Sequence, residues 1–196
     1  MNVAFYWVSG DYARLGQIAV AAARRAMPQA SILHLAGADT PALEGVDEVR
    51  RSAMPHSWSN RCLRQAEVEG DTLFLDTDVV VRRDVSGVFA QPFDVAVARR
   101  EGAPPDSTKP FNGGVVFCRN PAFYLAVAQD YAQRTDGDIE MAFNTVVRSG
   151  GFSVFELPAS VYNFSPKKLT QIPENCAILH YKGGLKPLMI EREIIV

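Results

Sequence analysis

Cysteine is scarce in this 196-residue chain, and the three present, Cys62, Cys118 and Cys176, lie far apart. There is no C-x-x-C and the count is odd, which argues against a disulfide framework or a thiolate metal site. They read as small buried residues in a reducing compartment. A surplus of charge is missing too. Twenty Lys+Arg stand against 22 Asp+Glu, a formal net charge of -2, which excludes a generally basic nucleic-acid binder. Long apolar runs are also lacking. The longest helix-like stretch, Ile18 to Ala23, runs into Arg24-Arg25 and is far too short for a bilayer span. The N-terminus has no basic lead-in and reaches Asp11 too soon for a signal peptide, so the expected location is cytoplasmic. No repeat, low-complexity tract or linker interrupts the chain, and residues 1–196 are expected to form one domain.

What is present points to an α/β fold. Val3 to Val8 is a continuous apolar run, as expected of a strand buried on both faces. Asp11 is a candidate N-cap, and apolar residues then recur at helical spacing from Tyr12 to Ala26, before Pro28. Ser31 to Leu35 reads as the next strand, completing a βαβ opening. Residues 36–55 are turn-rich and carry no clear period. A helix is predicted from Ser57 or Ser59 through Glu67, strands over 72–75, 94–98, 114–118, 152–157 and 177–181, a further extended run over 79–81, and helices over 123–133 and 139–148. Asn120-Pro121 supplies an N-cap followed by Pro at the first helical position.

Three motifs carry chemistry. Asp76-Thr77-Asp78 follows the buried run Leu73-Phe74-Leu75 and precedes Val79-Val80-Val81. Two carboxylates in so apolar a stretch are costly unless paired or metal-bound, and oxygen ligands favour magnesium or manganese. At the carboxyl edge of a sheet they would lie where open α/β folds bind ligands. Asp136-Gly137-Asp138 has the same spacing but follows a helix in a polar stretch, so it reads as a turn. The second motif, His180-Tyr181-Lys182-Gly183-Gly184-Leu185-Lys186-Pro187, places an imidazole at a strand end. A glycine pair and an ammonium suited to a diphosphate follow it. The third, Phe111-Asn112-Gly113-Gly114, leads into a strand and combines a donor–acceptor amide with backbone that a ligand can approach closely.

These motifs, with Ala142-Phe143-Asn144 and with Leu157-Pro158 and Tyr162-Asn163, occur in an order that resembles the family 8 glycosyltransferases, the group containing glycogenin and the bacterial lipopolysaccharide galactosyl- and glucosyltransferases. The resemblance runs from Val3 to Pro187. It implies a single GT-A domain, a Rossmann-like mixed sheet flanked by helices. It implies that Asp76, Asp78 and His180 hold Mn2+ or Mg2+ against a donor diphosphate, beside Thr77, and that Gly183 and Lys186 grip that diphosphate. Asn112 and Gly113 would line the donor-sugar pocket. Arg61 would approach the sugar nucleotide, and Val8, Ser9, Asp11 and Tyr12 would receive base and ribose.

Some positions depart from the family pattern. Ser9 stands where an Asp for uracil is usual, which leaves UDP as the expected but not the secured carrier. Where Asp-Gln-Asp is frequent, the chain has Ile139-Glu140-Met141. Glu140 is the first candidate for the polar group beside the anomeric carbon and Asp138 the second, against a plain helix-start acid. Arg99-Arg100 replaces a frequent acidic sugar-binding residue. The expected activity is metal-dependent transfer of a hexose from a nucleotide sugar, with retention, to a carbohydrate, glycolipid or protein acceptor that the sequence does not name. Two alternatives remain at this point. One is a non-catalytic sugar-nucleotide-binding module. The other is a sugar-1-phosphate nucleotidyltransferase, which normally has a Gly-rich basic loop after its first strand that this chain lacks.

Overall fold

The computed structural model describes residues 1–6, 12–166 and 172–193. Seven strands form the main sheet: β1 (Asn2–Tyr6), β2 (Ser31–Gly37), β3 (Glu48–Ser52), β4 (Thr72–Leu75), β6 (Val95–Arg99), β7 (Phe111–Cys118) and β8 (Val154–Leu157). Their spatial order is β3-β2-β1-β4-β7-β6-β8. Neighbours are parallel except around β7, which runs antiparallel to both β4 and β6. The sheet is therefore mixed.

Side chains along each central strand alternate between two cores. Val3 and Phe5, Leu73 and Leu75, Val115 and Phe117 face one cluster with α1 (Ala13–Ala26). Ala4, Phe74, Val116 and Cys118 face the other. The second layer is made by α2 (Trp58–Ala66), α3 (Ala122–Gln133) and α4 (Ile139–Arg148). Burial on both faces is why these strands read as unbroken apolar runs rather than alternating ones. The three thiols are buried and free, and burial pushes Cys62 up to about 11 and Cys118 up to about 12, as inert core residues require.

A second, two-stranded sheet pairs β5 (Val79–Val81) antiparallel to β9 (Ile178–His180), with Val79 opposite His180. Strand β5 leaves the main sheet immediately after β4, so the chain turns at residues 76–78 between the two sheets. This places the first acidic motif at the carboxyl edge of β4.

Two stretches differ from the sequence expectation. Strand β3, Glu-Val-Arg-Arg-Ser, lies at an edge and is half-exposed, so it has little of the apolar signature by which a strand is read. Residues 183–193, to which the sequence reading assigns no element, form a 3-10 turn at Gly183–Leu185 and then α6 (Lys186–Arg192). Met189 of α6 is fully buried, and the Tyr181 hydroxyl donates to Glu193 Oε1 at 2.8 Å. A short helix, α5 (Ala159–Tyr162), follows β8. Smaller departures are a 3-10 turn at Ser86–Ala90 that the sequence reading does not assign, β7 beginning at Phe111 rather than Gly114, and α3 starting at Ala122 with Pro121 rather than Asn120 at its N-cap. The remaining central elements lie close to where the sequence puts them, and the Ser57 hydroxyl caps α2 by accepting from the Asn60 amide.

Candidate active site

The backbone brings the acidic motif and His180 together before any side chain acts. Leu75 pairs with Val115, and the next amide, that of Asp76, donates to the Gly114 carbonyl at 2.9 Å. On the other side the Tyr181 amide donates to the Asp78 carbonyl at 2.8 Å, extending the β5–β9 ladder. Asp76 is thus fixed by β7 and Asp78 by β9. One ligand atom from each of Asp76, Asp78 and His180 lies within 4.8 Å of the others. Asp78 and His180 are buried, at 7% and 2% exposure.

The orientation of His180 follows from one unambiguous donor. The backbone N–H of Gly114 donates to Asn112 Oδ1 at 3.2 Å. The same oxygen accepts from Asn163 Nδ2 at 3.2 Å, so Asn163 turns its carbonyl oxygen toward His180 Nδ1, 2.9 Å away. An amide oxygen has no hydrogen to give, so Nδ1 carries the proton and donates. That leaves Nε2 facing Asp78 Oδ1 at 3.1 Å. A lone pair aimed at a carboxylate is repulsive unless a proton or a metal ion lies at that edge. Two neighbouring ligand atoms of a six-coordinate magnesium-sized ion are about 3.0 Å apart, and the His180–Asp78 spacing matches that edge. Residue 114 shows how closely the cluster is approached. A Cβ there would lie 2.3 Å from His180 Cε1 and 2.7 Å from Asp76 Oδ2. The second glycine of the pair is required by that approach.

Cations surround the acids. Arg61 Nη2 lies 2.5 Å from Asp76 Oδ1, with its guanidinium carbon 5.7 Å from the Tyr6 ring centre and 5.6 Å from that of Trp58. Lys186 Nζ lies 3.4 Å from Asp78 Oδ2 and 4.6 Å from the centre of the Tyr12 ring. Burial alone would raise the Asp78 carboxyl, but the hydrogen bond and charge of His180 and the charge of Lys186 outweigh it and hold it below the ordinary range.

Two cavities flank Asn112. The smaller, about 310 Å³, is lined by Arg61, Asp76, Asn112, Gly113, Gly114 and Glu140 among others. Glu140 is held there by Asn144, whose amide donates to the Glu140 carbonyl and bonds both backbone groups of Phe111, tying α4 to β7. Its carboxylate accepts from Arg100 Nη2 at 2.6 Å. The larger cavity, about 700 Å³, includes Arg99, Arg100, Asn112, Ser160, Asn163 and Lys182 in its walls. Burial, then the nearby Arg100 charge, pushes the Lys182 ammonium down to about 8.

Among the residues named from sequence, the structure therefore gathers Asp76, Asp78, His180, Arg61, Asn112, Gly113, Glu140 and Lys186, with Tyr12 beneath Lys186. Thr77 lies in the turn, its methyl toward Gly16. Gly183 adopts φ +56°, which favours glycine, in the turn before α6. Asp138 lines neither cavity. Its carboxylate caps α4 by accepting from the Met141 amide and pairs with Lys109. Val8, Ser9 and Asp11 lie outside the described residues. Sequence reading named Asn163 and Asn144 only as motif members and overlooked their positioning roles. The signal available was a buried-type polar residue inside an otherwise apolar stretch.

No family model and no curated protein matches the chain at the sequence level. Solved structures do. The glycosyltransferase GlyE of Streptococcus pneumoniae TIGR4 superposes with a TM-score of 0.75 at 19% identity, over all of this chain and 60% of GlyE. The galactosyltransferase LgtC, solved with donor and acceptor sugar analogues, gives 0.68 at 16% identity, over 94% of this chain and 88% of LgtC. A glycosyltransferase involved in glycosylation of the major capsid of PBCV-1 gives 0.65 at 14% identity, over the whole of both chains. The chain spans only about three-fifths of GlyE's length. What these superpositions share with the mixed sheet and its acidic edge is one architecture: the fold is that of the GT-A glycosyltransferases.

Proposed function

We propose that this chain is a metal-dependent glycosyltransferase that moves a hexose from a nucleoside diphosphate sugar, with uridine as the base, to an acceptor, with retention, and that residues 1–196 act as one catalytic domain. The observation that carries the reading is the Asp76, Asp78 and His180 cluster at the carboxyl edge of the sheet, with Asp78 and His180 buried, beside a Gly-lined cleft. GlyE and LgtC are described as a glycosyltransferase and a galactosyltransferase, which supports the reaction class.

Asp76, Asp78 and His180 would hold Mn2+ or Mg2+, which when bound acts as a Lewis acid toward the leaving diphosphate. Lys186 adds a positive charge on the same side, and the adjoining turn at Gly183 leaves backbone open to phosphate oxygens. Arg61 and Asn112 orient the sugar. The Asn112 oxygen is spent on Gly114 and Asn163, so its Nδ2 is the group left to donate to a sugar hydroxyl. Glu140 is the carboxylate closest in role to the reacting carbon, and Arg100 holds it in place. Tyr12 and residues 8–11 are assigned to the nucleoside.

The test is a donor screen. The protein is incubated with manganese and UDP-, GDP- or ADP-sugars, and free hexose is measured without acceptor. Slow hydrolysis of a UDP-sugar that EDTA abolishes is the expected result. Equal hydrolysis in EDTA would remove the metal from the mechanism. Binding without any hydrolysis or transfer would leave a sugar-nucleotide-binding module.

A further inference from the structure

The charged side chains of the larger cavity are mostly cationic: Arg99, Arg100 and Lys182 stand against Glu101, beside the hydroxyls of Ser160 and Ser165. Arg and Lys side chains offer N–H groups and no acceptor. Arg99 uses Nε on Glu156 at 3.0 Å, and the Phe111 ring lies 5.1 Å beneath its guanidinium, which fixes the plane. Arg100 uses Nη2 on Glu140 and Nε on the Phe111 carbonyl at 3.4 Å. Lys182 makes no ion pair among the described residues and lines the same cavity as Arg100. Both η nitrogens of Arg99, one of Arg100 and the Lys182 ammonium are therefore without a protein acceptor among the described residues. The acid in the cavity wall, Glu101, is exposed and joins none of the ion pairs described.

Position fixes what the cavity adjoins. It shares Asn112 with the smaller cleft and Asn163 with the His180 network, and Lys182 stands two residues beyond His180. A ligand filling it would lie against whatever occupies the cleft beside the acidic cluster. A neutral sugar there would leave these cations without a countercharge, whereas a carboxylate or phosphate meets planar guanidinium forks and an ammonium.

We propose that this cavity is the subsite for the second substrate, and that this substrate carries an anionic group, a carboxylate or a phosphate, bound by Arg99, Arg100 and Lys182. The proposal rests on the transferase reading above and names the chemical class of the acceptor.

The experiment is calorimetric titration of the full chain, already saturated with manganese and UDP, so that the donor diphosphate site is filled. The probes are methyl glucuronide, glucose 6-phosphate and neutral methyl glucoside. The expected result is that at least one charged probe binds about tenfold or more tightly than the neutral one, the gain of one charge-assisted contact. The preference should shrink in Arg99→Gln and in Lys182→Gln, each checked for an unchanged near-UV circular dichroism spectrum, and should weaken as salt is raised. The stronger of the two charged probes identifies the anion. Equal binding of charged and neutral probes overturns the proposal. So does a charged preference seen only without UDP, which would assign these cations to the donor diphosphate. An anion preference that ignores both substitutions also overturns it. Donor hydrolysis by the same preparation tests the transferase reading separately. If that fails while the preference persists, the anion site stands and the second-substrate role falls.

Discussion

Asp76-Thr77-Asp78 and Asp136-Gly137-Asp138 have the same spacing and opposite fates. The first lies between two sheets, where the backbone of β7 holds Asp76 and that of β9 presents His180 to Asp78. The second closes a turn on the surface. Gly137 takes φ +63°, Asp136 pairs with Arg134, and Asp138 caps α4. Both are satisfied, but differently. In the turn each carboxylate meets a nearby cation and backbone amides, and no lone pair is left facing another. At the sheet edge, two carboxylates and an imidazole converge, and a proton or a metal ion must lie between Asp78 and His180. A carboxylate pair becomes a metal-site candidate through the topology around it, not through its spacing.

The substitution that tests this contrast most strongly is Asp78→Asn. It removes one anionic ligand, and even an outer partner of a ligand is typically worth 10–100-fold in metal affinity, so manganese should bind more than about 100-fold more weakly. Electron paramagnetic resonance of free manganese measures this directly, and donor hydrolysis should fall below detection. The acid side of the stability curve carries a second signature. Pairing with His180 and Lys186 depresses the Asp78 carboxyl, so its contribution is complete above the ordinary carboxylate range and drains as pH falls through the lower folded value. In metal-free protein, the difference in urea midpoint between parent and Asp78→Asn should therefore narrow below about pH 4.

Gly114→Ala comes next in size. Its methyl would need the space of His180 Cε1, whereas a methyl at the adjacent Gly113 would meet the Phe143 ring at an ordinary 3.6 Å. We expect Gly114→Ala to weaken manganese binding by roughly the effect of displacing one ligand, tens-fold or more, and Gly113→Ala to leave that affinity close to the parent's. Equal affinities in the two variants would mean that the close approach is easily relaxed.

How much of this was legible beforehand differs by element. The central strands and α1, α2, α3 and α4 could be read because burial on both faces or on one stripe writes a period into the sequence. The half-exposed edge strand β3 and the short α6, whose buried anchor is the single residue Met189, write none. The members of the site were legible as residue types: Asp76 and Asp78 stood out as charges in an apolar run, and Gly114 as one of a pair. Their relation was not. The β5–β9 register that sets Val79 opposite His180 joins residues about a hundred positions apart, and no local pattern encodes a pairing over that distance. The Asn112–Asn163–His180 relay is hidden for the same reason. A buried Asn and a surface Asn are spelled alike.

That relay gives a smaller effect. Asn163→Leu removes the acceptor that holds the Nδ1 proton, so the imidazole can adopt the other tautomer with Nε2 protonated and closed to a metal. Manganese affinity should fall by about 10–100-fold, the range for an outer-sphere partner, while the fold persists. Nitrogen chemical shifts of His180 in the metal-free protein distinguish this from simple loosening. The parent should show Nδ1 protonated, with or without a second proton on Nε2 shared with Asp78, and the variant a fraction in which Nδ1 is bare. The same tautomer in both would show that Asn163 only packs there.

The smallest effect completes the comparison. Asp136 lies outside both cavities, and its contacts, the Arg134 guanidinium and the Asp138 amide, belong to the turn itself. Ion pairing with Arg134 lowers its carboxyl to about 2, yet the group is fully exposed and solvent screens what that pairing could contribute. Asparagine keeps the shape and can still accept from the Asp138 amide, so the turn should survive Asp136→Asn. Donor hydrolysis and manganese affinity should both stay within about twofold of the parent, as for surface changes remote from a site. A loss comparable to that of Asp78→Asn would reverse the assignment. It would place the reacting groups beside α4 and would require the acidic cluster at the sheet edge to be a structural pairing of His180 and Lys186 around Asp78, with no metal to hold.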